Sequence, residues 1–251
     1  MAVRSHLSDS QWQEVAKALE DEPRVGRPGL DDRRFVEAVL WWRRTGVPWR
    51  DLPTGFGPWK TVFNRFDRWS KNGRWNRLFA SLRVGADHEW HSIDSTTNRA
   101  HQHAAGGKGG AEVQAIGRSR GGATTKVHLV VDALGLPLSF RITEGQRHDI
   151  VPAPELVRET RPRCLLGDKA YSTVAFRAEL TALGCVAVLP SSSSWIDPPP
   201  YDRELYKARS EIECTFNLLK QARRFATRYE KTLRNYAAVV ALGCMLLWLR
   251  I

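Results

Sequence analysis

Three acidic residues and one charged stripe carry the chemistry that this 251-residue chain advertises. Asp94, in the run SIDSTT, ends a short first strand expected over 89–94; Asp168, in LLGDKAY, directly follows a strand expected over 163–167. An aspartate at the carboxyl end of a strand lies on the edge where open α/β sheets bind ligands, although it can equally cap the next helix. Farther on, Tyr206, Arg209, Glu213 and Lys220 follow one another at intervals of 3, 4 and 7 residues. At roughly 100° per residue they share about 60° of arc on a helix expected over 204–224. Leu205, Ala208, Ile212, Phe216, Leu219 and Ala222 form the adjoining apolar stripe, which puts Glu213 at the edge of the buried face. Most such stripes are solvated faces, but these residues also suit a surface that tracks phosphates around one metal ligand.

If Asp94, Asp168 and Glu213 converge, each carboxylate pair about 4 Å apart repels by roughly 4 kcal/mol at an effective dielectric of 20. Such a cluster needs cations or raised pKa values. Oxygen donors without a histidine or cysteine pattern, facing a phosphodiester, select Mg²⁺, with Mn²⁺ as a substitute. Two such ions about 3.5–4 Å apart stabilise the attacking and leaving oxygens of an in-line displacement at phosphorus. The residues alone therefore point to metal-assisted phosphodiester chemistry. The charge agrees: 38 Lys and Arg against 27 Asp and Glu give +11, which favours a polyanionic partner, nucleic acid or an anionic membrane surface.

The elements that must position these groups fall into two domains, 1–87 and 88–251. Eight of the ten tryptophans lie in residues 1–90, where the pattern is helical. Ser8 and Gln11 make a capping box, with Leu7 and Trp12 as a staple, before Trp12, Val15, Ala16 and Leu19 repeat at helical spacing. A second helix spans 32–45 and stops at Gly46; a third carries Val62, Phe63, Phe66 and Trp69, and a fourth Trp75, Leu78, Phe79 and Leu82. Lys60, Asn64, Arg65 and Arg68 fall on the outer side of the third helix. It could enter a major groove in a helix-turn-helix-like domain, or belong to a plain bundle with solvated charges. Beyond residue 88, alternation over 126–131 and 136–142 around a turn at 133–135 predicts a hairpin. A strand at 163–167, a helix at 173–183 and a strand at 185–189 predict a parallel β-α-β unit, so the fold class is a mixed α/β sheet.

Arg99, Lys108, Arg118 and Arg120, with Glu112 alone opposing them, read as a basic loop over 99–125 lying along DNA backbone. Glycines 106, 107, 109 and 110 lack the order of a phosphate-binding loop, and His101 and His103 lack a second ligand pair for zinc. Asp149, after His148, is a reserve carboxylate or a loop cap. The stretch 203–234, with nine Lys and Arg against four acids, reads as a further DNA track. Cys164, Cys185, Cys214 and Cys244 form no CxxC pair and suit packing in a reducing cytoplasm. The 14-residue apolar run 236–249 is too short to cross a bilayer, and MAVRSHLSDS contains no apolar signal segment. A cytoplasmic, nucleoid-associated protein is expected.

Tyr206-x2-Arg209-x3-Glu213-x6-Lys220 resembles the Y-x2-R-x3-E-x6-K signature of DDE transposases of bacterial insertion sequences. SIDST and GDKAY resemble that family's two aspartate motifs, and the insertion-sequence-five family is the most similar branch. GRPG at 26–29, PWRDLP at 48–53, GPWKTVFNRF at 57–66 and RFATRYEKT at 224–232 extend the likeness over nearly the whole chain. The resemblance implies an RNase H-like catalytic domain preceded by a small all-α DNA-binding domain. It implies that Asp94 and Asp168 hold two Mg²⁺ ions, that Glu213 completes the site, and that Tyr206, Arg209 and Lys220 contact transposon-end phosphates. It further implies cleavage at inverted terminal repeats and transfer of the 3′-hydroxyl ends into target DNA by a dimer or higher assembly. Ser210, Cys214 and the serines at 191–194 stand where relatives often carry Asn, Arg and basic residues, which thins the positive charge near the triad. An inactive copy acting as a sequence-specific DNA-binding protein, and a metal-dependent nuclease without strand transfer, are the alternatives.

Overall fold

The computed structural model describes residues 6–20, 31–119, 121–192 and 195–249; GRPG at 26–29, Arg120 and residues 193–194 of the serine run lie outside the described residues. In chain order the elements are α1 (Asp9–Glu20), α2 (Asp32–Thr45), α3 (Trp59–Lys71), α4 (Arg74–Leu82), β1 (His91–Ala100), α5 (Gly110–Val113), β2 (Gly117–Ser119), β3 (Gly122–Val131) and β4 (Pro137–Glu144). There follow α6 (Ala153–Thr160), β5 (Cys164–Leu166), α7 (Val174–Ala182), β6 (Val186–Val188), α8 (Arg203–Tyr206), α9 (Ser210–Lys220), α10 (Arg223–Ala226), β7 (Thr227–Arg228) and α11 (Leu233–Trp248). Two compact units result: residues 1–84 with 101–108 and 219–251, and residues 85–100 with 109–218. The sheet begins at β1, and residues 101–108 and 219–251 cluster with the N-terminal helices.

The first unit is helical, and its elements begin and end where local chemistry dictates. The Gln11 N–H donates to Ser8 Oγ at 3.2 Å, and the Ser8 N–H donates to Gln11 Oε1 at 2.9 Å, completing the capping box. Gly46 closes α2 at φ +77°, and a Cβ there would also meet the Arg223 side chain at 2.8 Å. Trp42 stacks on Trp49 with ring centroids 3.8 Å apart, while Phe35, Trp69 and Trp75 form an adjoining aromatic cluster. α11 is buried on nearly every face and packs against α3 and α4, as an all-round apolar helix must. No helix among the described residues is long and apolar enough to cross a membrane.

The expectation of a DNA track over 203–234 changes in this unit. Arg224 and Arg228 are buried. Arg224 lies 3.9 Å over Trp42 and pairs with Glu230 at 2.7 Å; Arg228 lies 5.0 Å over Tyr236. A count of cations along 203–234 therefore overstates the charge available to DNA.

The second unit is a mixed sheet in the order β2-β3-β1-β5-β6, with β4 also paired to β3. β1, β3 and β4 are antiparallel neighbours; β1, β5 and β6 run parallel, the arrangement of an RNase H-like domain. The hairpin and the β-α-β unit form as the alternation predicts. β1 is longer than expected: it continues through STTNRA to Ala100, so Asp94 lies inside the strand instead of ending it. Its hydroxyl and β-branched residues pair with β3 from Ser92↔Val131 to Arg99↔Thr124, a partnership that polar composition conceals. The basic loop over 99–125 is likewise largely structured, since Arg99 belongs to β1, Arg118 to β2 and residues 122–125 to β3. α6, which the sequence pattern did not predict, covers β3 and β4 and holds Arg141 through Glu155 and Glu159, both at 2.8 Å.

His91 and His128 are fully buried in this sheet. Burial, followed by His88, pushes His91 down to about 4. Burial also pushes His128 down to about 4, with Lys126 adding to the effect and Asp149 opposing it. Both rings are thus neutral in the fold, while the unfolded chain takes up protons near pH 6.5. Stability from this source is fully present above pH 6.5 and is lost as pH falls from 6.5 to 4, by about 3 kcal/mol per ring. The urea midpoint followed by circular dichroism should fall steeply across that window, and His128→Gln should flatten the dependence. A midpoint constant from pH 7 to 4 would contradict the burial of both rings.

Candidate active site

β1 and β5 bring the two aspartates abreast. His91 pairs with Leu165 and Ser92 with Leu166, and the same offset of 74 residues links Asp94 to Asp168 just past the last paired positions. Neighbouring strands run about 4.8 Å apart, so the two carboxylates issue from adjacent backbones at one sheet edge. Asp168 also caps the 3-10 turn Lys169–Tyr171 by accepting the Ala170 N–H at 2.8 Å, so its capping role and its place at the site coexist. Asp94 is half-buried and accepts the Ser95 N–H through Oδ1 at 2.7 Å.

The third acid reaches this edge through an arginine. Arg209 donates to Asp94 Oδ2 at 3.0 Å and also bonds Glu213 Oε1. Burial raises the Asp94 carboxyl above its ordinary value and nearby Asp168 adds to the rise, while the Ser95 N–H and Arg209 oppose it. Burial alone would lower Arg209, yet Asp94, Tyr206 and Glu213 hold its guanidinium firmly charged. The single helix expected over 204–224 is broken into α8, a 3-10 turn at Lys207–Arg209, α9 and α10. The turn keeps the stripe together, because side chains at i and i+3 of a 3-10 helix eclipse. The Arg209 guanidinium accordingly lies 5.9 Å from the centre of the Tyr206 ring. Lys220, exposed at the end of α9, falls with the first unit.

Among the described residues no three His, Cys, Asp or Glu side chains are gathered closely enough to hold one ion. The donors still suit a hard divalent cation, because they are carboxylates alone and two of them share one edge. The Arg209 guanidinium satisfies Asp94 Oδ2 and Glu213 Oε1. It marks a place where positive charge is already favoured, and a dication would double that charge.

Behind this edge lies a group that sequence reasoning only half identified. Asp149 is no loop cap: its Oδ1 accepts from Ser95 Oγ at 2.8 Å and from Lys126 Nζ at 2.7 Å. Burial would raise it, but those two bonds leave its carboxyl below the ordinary range. Tyr171 is fully buried; burial first, then Asp94, Asp149 and Asp168, push its hydroxyl well above its usual value. Tyr171 was legible as part of GDKAY, whereas nothing in the sequence tied Lys126 or Ser95 to Asp149.

In the first unit, Lys60, Asn64 and Arg68 are exposed on α3, but Arg65 is not on the outer face. Its guanidinium bonds Asp32 and lies 4.3 Å over Phe35 and 4.9 Å over Trp69, since an arginine at the rim of an aromatic core gains more from stacking than from water. Arg99, Lys108 and Arg118 are exposed.

A mixed sheet sets Asp94 and Asp168 abreast, with Arg209 joining Asp94 to Glu213, and comparison with known proteins gives the family of the chain that carries this arrangement. Residues 87–249 match the family "Transposase DDE domain", and residues 7–79 match "Putative transposase of IS4/5 family". The chain is 42% identical over 132 residues, 51% of its length and 99% of the relative's, to a "Putative transposase for insertion sequence element IS6501" of Brucella ovis. It is 41% identical over 103 residues, 41% of its length and 82% of the relative's, to "Uncharacterized protein y4sN" of Sinorhizobium fredii. Among solved structures, a piggyBac transposase synaptic complex with hairpin DNA superposes with a TM-score of 0.52 over 98% of this chain and 73% of that one. At 10% identity that likeness concerns the fold. The chain belongs to the DDE transposase family of insertion sequences.

Proposed function

We propose that the protein cuts DNA at the inverted terminal repeats of its element and joins the resulting 3′-hydroxyl ends to target DNA, with Asp94, Asp168 and Glu213 as its acidic triad. The register that sets Asp94 beside Asp168, with Arg209 linking Asp94 to Glu213, carries this reading. Asp94 and Asp168 would hold two Mg²⁺ ions, with Glu213 completing the set; Mn²⁺ would substitute. When bound, such ions supply activation of the attacking oxygen and stabilisation of the leaving oxygen. Arg209, turned from Asp94 toward a phosphate, keeps its charge at every working pH and offers a forked donor for the strand near the scissile bond. Tyr206 and Lys220 would contact transposon-end phosphates, and Lys60, Asn64, Arg68, Arg99, Lys108, Arg118 and Arg120 would contact DNA backbone. Two copies or more would act together on paired ends.

The test has two parts. Single-turnover incubation with a terminal-repeat duplex and Mg²⁺ should release the element end, and a precleaved 3′-hydroxyl end should join to plasmid DNA. Cleavage without joining would make the protein a nuclease. Tight repeat binding that ignores Mg²⁺, with neither reaction at saturating enzyme, would make it a DNA-binding relic.

A further inference from the structure

Successive residues of a strand face opposite sides of its sheet, so Ser95 lies behind the sheet from Asp94. Its register partner there is His128, and Lys126 is two residues along β3 on the same face. On that reverse face Ser95 Oγ and Lys126 Nζ converge on one oxygen of Asp149, and Lys126 also bonds the Arg147 carbonyl at 2.7 Å. The Asp168 turn reaches the same face through Tyr171. A Cβ added to Gly167 would meet the Tyr171 ring at 3.3 Å and Ile93, the neighbour of Asp94, at 3.0 Å. Three segments therefore meet behind the catalytic edge: β1 through Ser95, β3 through Lys126, and the Asp168 turn through Tyr171.

We propose that Asp149 is a positioning residue, whose bonds to Ser95 and Lys126 on the reverse face fix the part of β1 that presents Asp94 beside Asp168. This rests on the metal-dependent reading above. Lys126 is mostly buried beside Asp149, so its ammonium compensates the carboxylate and leaves geometry as Asp149's main influence on the opposite face. Supporting groups of this kind change metal affinity or activity by about 10–100-fold when removed.

Mn²⁺ titration of the full chain without DNA, followed by electron paramagnetic resonance, tests it alongside the thermal midpoint and terminal-repeat affinity. Asp149→Ala should weaken Mn²⁺ binding by about 10–100-fold. Asp149→Asn, which keeps an acceptor for Ser95, should lose less, and both should bind repeat DNA like the wild type. Ser95→Ala changes no charge and should still weaken Mn²⁺ binding, which separates geometry from electrostatics. A lowered thermal midpoint with wild-type Mn²⁺ affinity in Asp149→Ala overturns the proposal. If that variant fails to fold, wild-type affinity in Ser95→Ala overturns it equally. Failure of the wild type itself to bind Mn²⁺, with Asp94→Ala as the control, overturns the metal-site reading and this proposal with it.

Discussion

On the proposed triad, Asp94→Asn should lower single-turnover strand cleavage by about 10³–10⁴-fold, because loss of a metal ligand would remove several kcal/mol of transition-state stabilisation at 1.36 kcal/mol per tenfold. The fold should survive. Asparagine has the same shape, keeps an oxygen for the Ser95 N–H, and relieves a half-buried charge that burial and Asp168 both disfavour. Arg209 keeps Glu213 as a partner. Terminal-repeat affinity should therefore change little while cleavage collapses, a split that locates the loss in chemistry and not in binding. Activity within tenfold of the wild type would remove Asp94 from the triad, and Asp149, anchored to the neighbouring Ser95, would become the carboxylate to examine.

Much of the fold was legible because its causes are local. The Ser8–Gln11 box, the glycine stop at 46, the hairpin after β3 and the strand–helix–strand run at 164–188 each depend on residues a few positions apart. β1 was read too short because the polarity of STTNRA outweighs its β-branched content until β3 is beside it. An apolar helix announces burial but not its partner: α11 finds α3 and α4, about 150 residues or more earlier in the chain.

The triad candidates were legible from motif order, and the register of β1 against β5 gives two of them a physical reason to be neighbours. What the motifs could not convey is which cations face solvent. Arg65 and Arg224 stand in basic stretches, yet each lies over aromatic rings and pairs with an acid. Nor could spacing reveal the Asp149 group, whose members sit at 95, 126 and 149 and meet only once β1 and β3 are in register and the turn after β4 folds onto them.

The buried arginine supplies the largest stability effect. Arg224 Nη1 donates to Glu230 at 2.7 Å, and Nη2 donates at 2.6 Å to the Val47 carbonyl just beyond the end of α2, where unsatisfied carbonyls favour a cation. Both side chains are almost fully enclosed, and burial raises the Glu230 carboxyl while Arg224 opposes the rise. Glu230→Ala leaves that guanidinium enclosed without its counter-charge, which costs about 3–5 kcal/mol and should lower the thermal midpoint by about 6–20 °C. Tryptophan fluorescence reports the change directly, since Arg224 rests on Trp42 and most of the tryptophans lie in the first unit. Arg224→Met combined with Glu230→Leu removes both charges and should recover most of the loss, because an enclosed ion pair is worth little more than well-packed apolar groups. If Glu230→Ala instead left the midpoint unchanged and Arg224→Met flattened the salt dependence of DNA binding, Arg224 would be a phosphate contact after all.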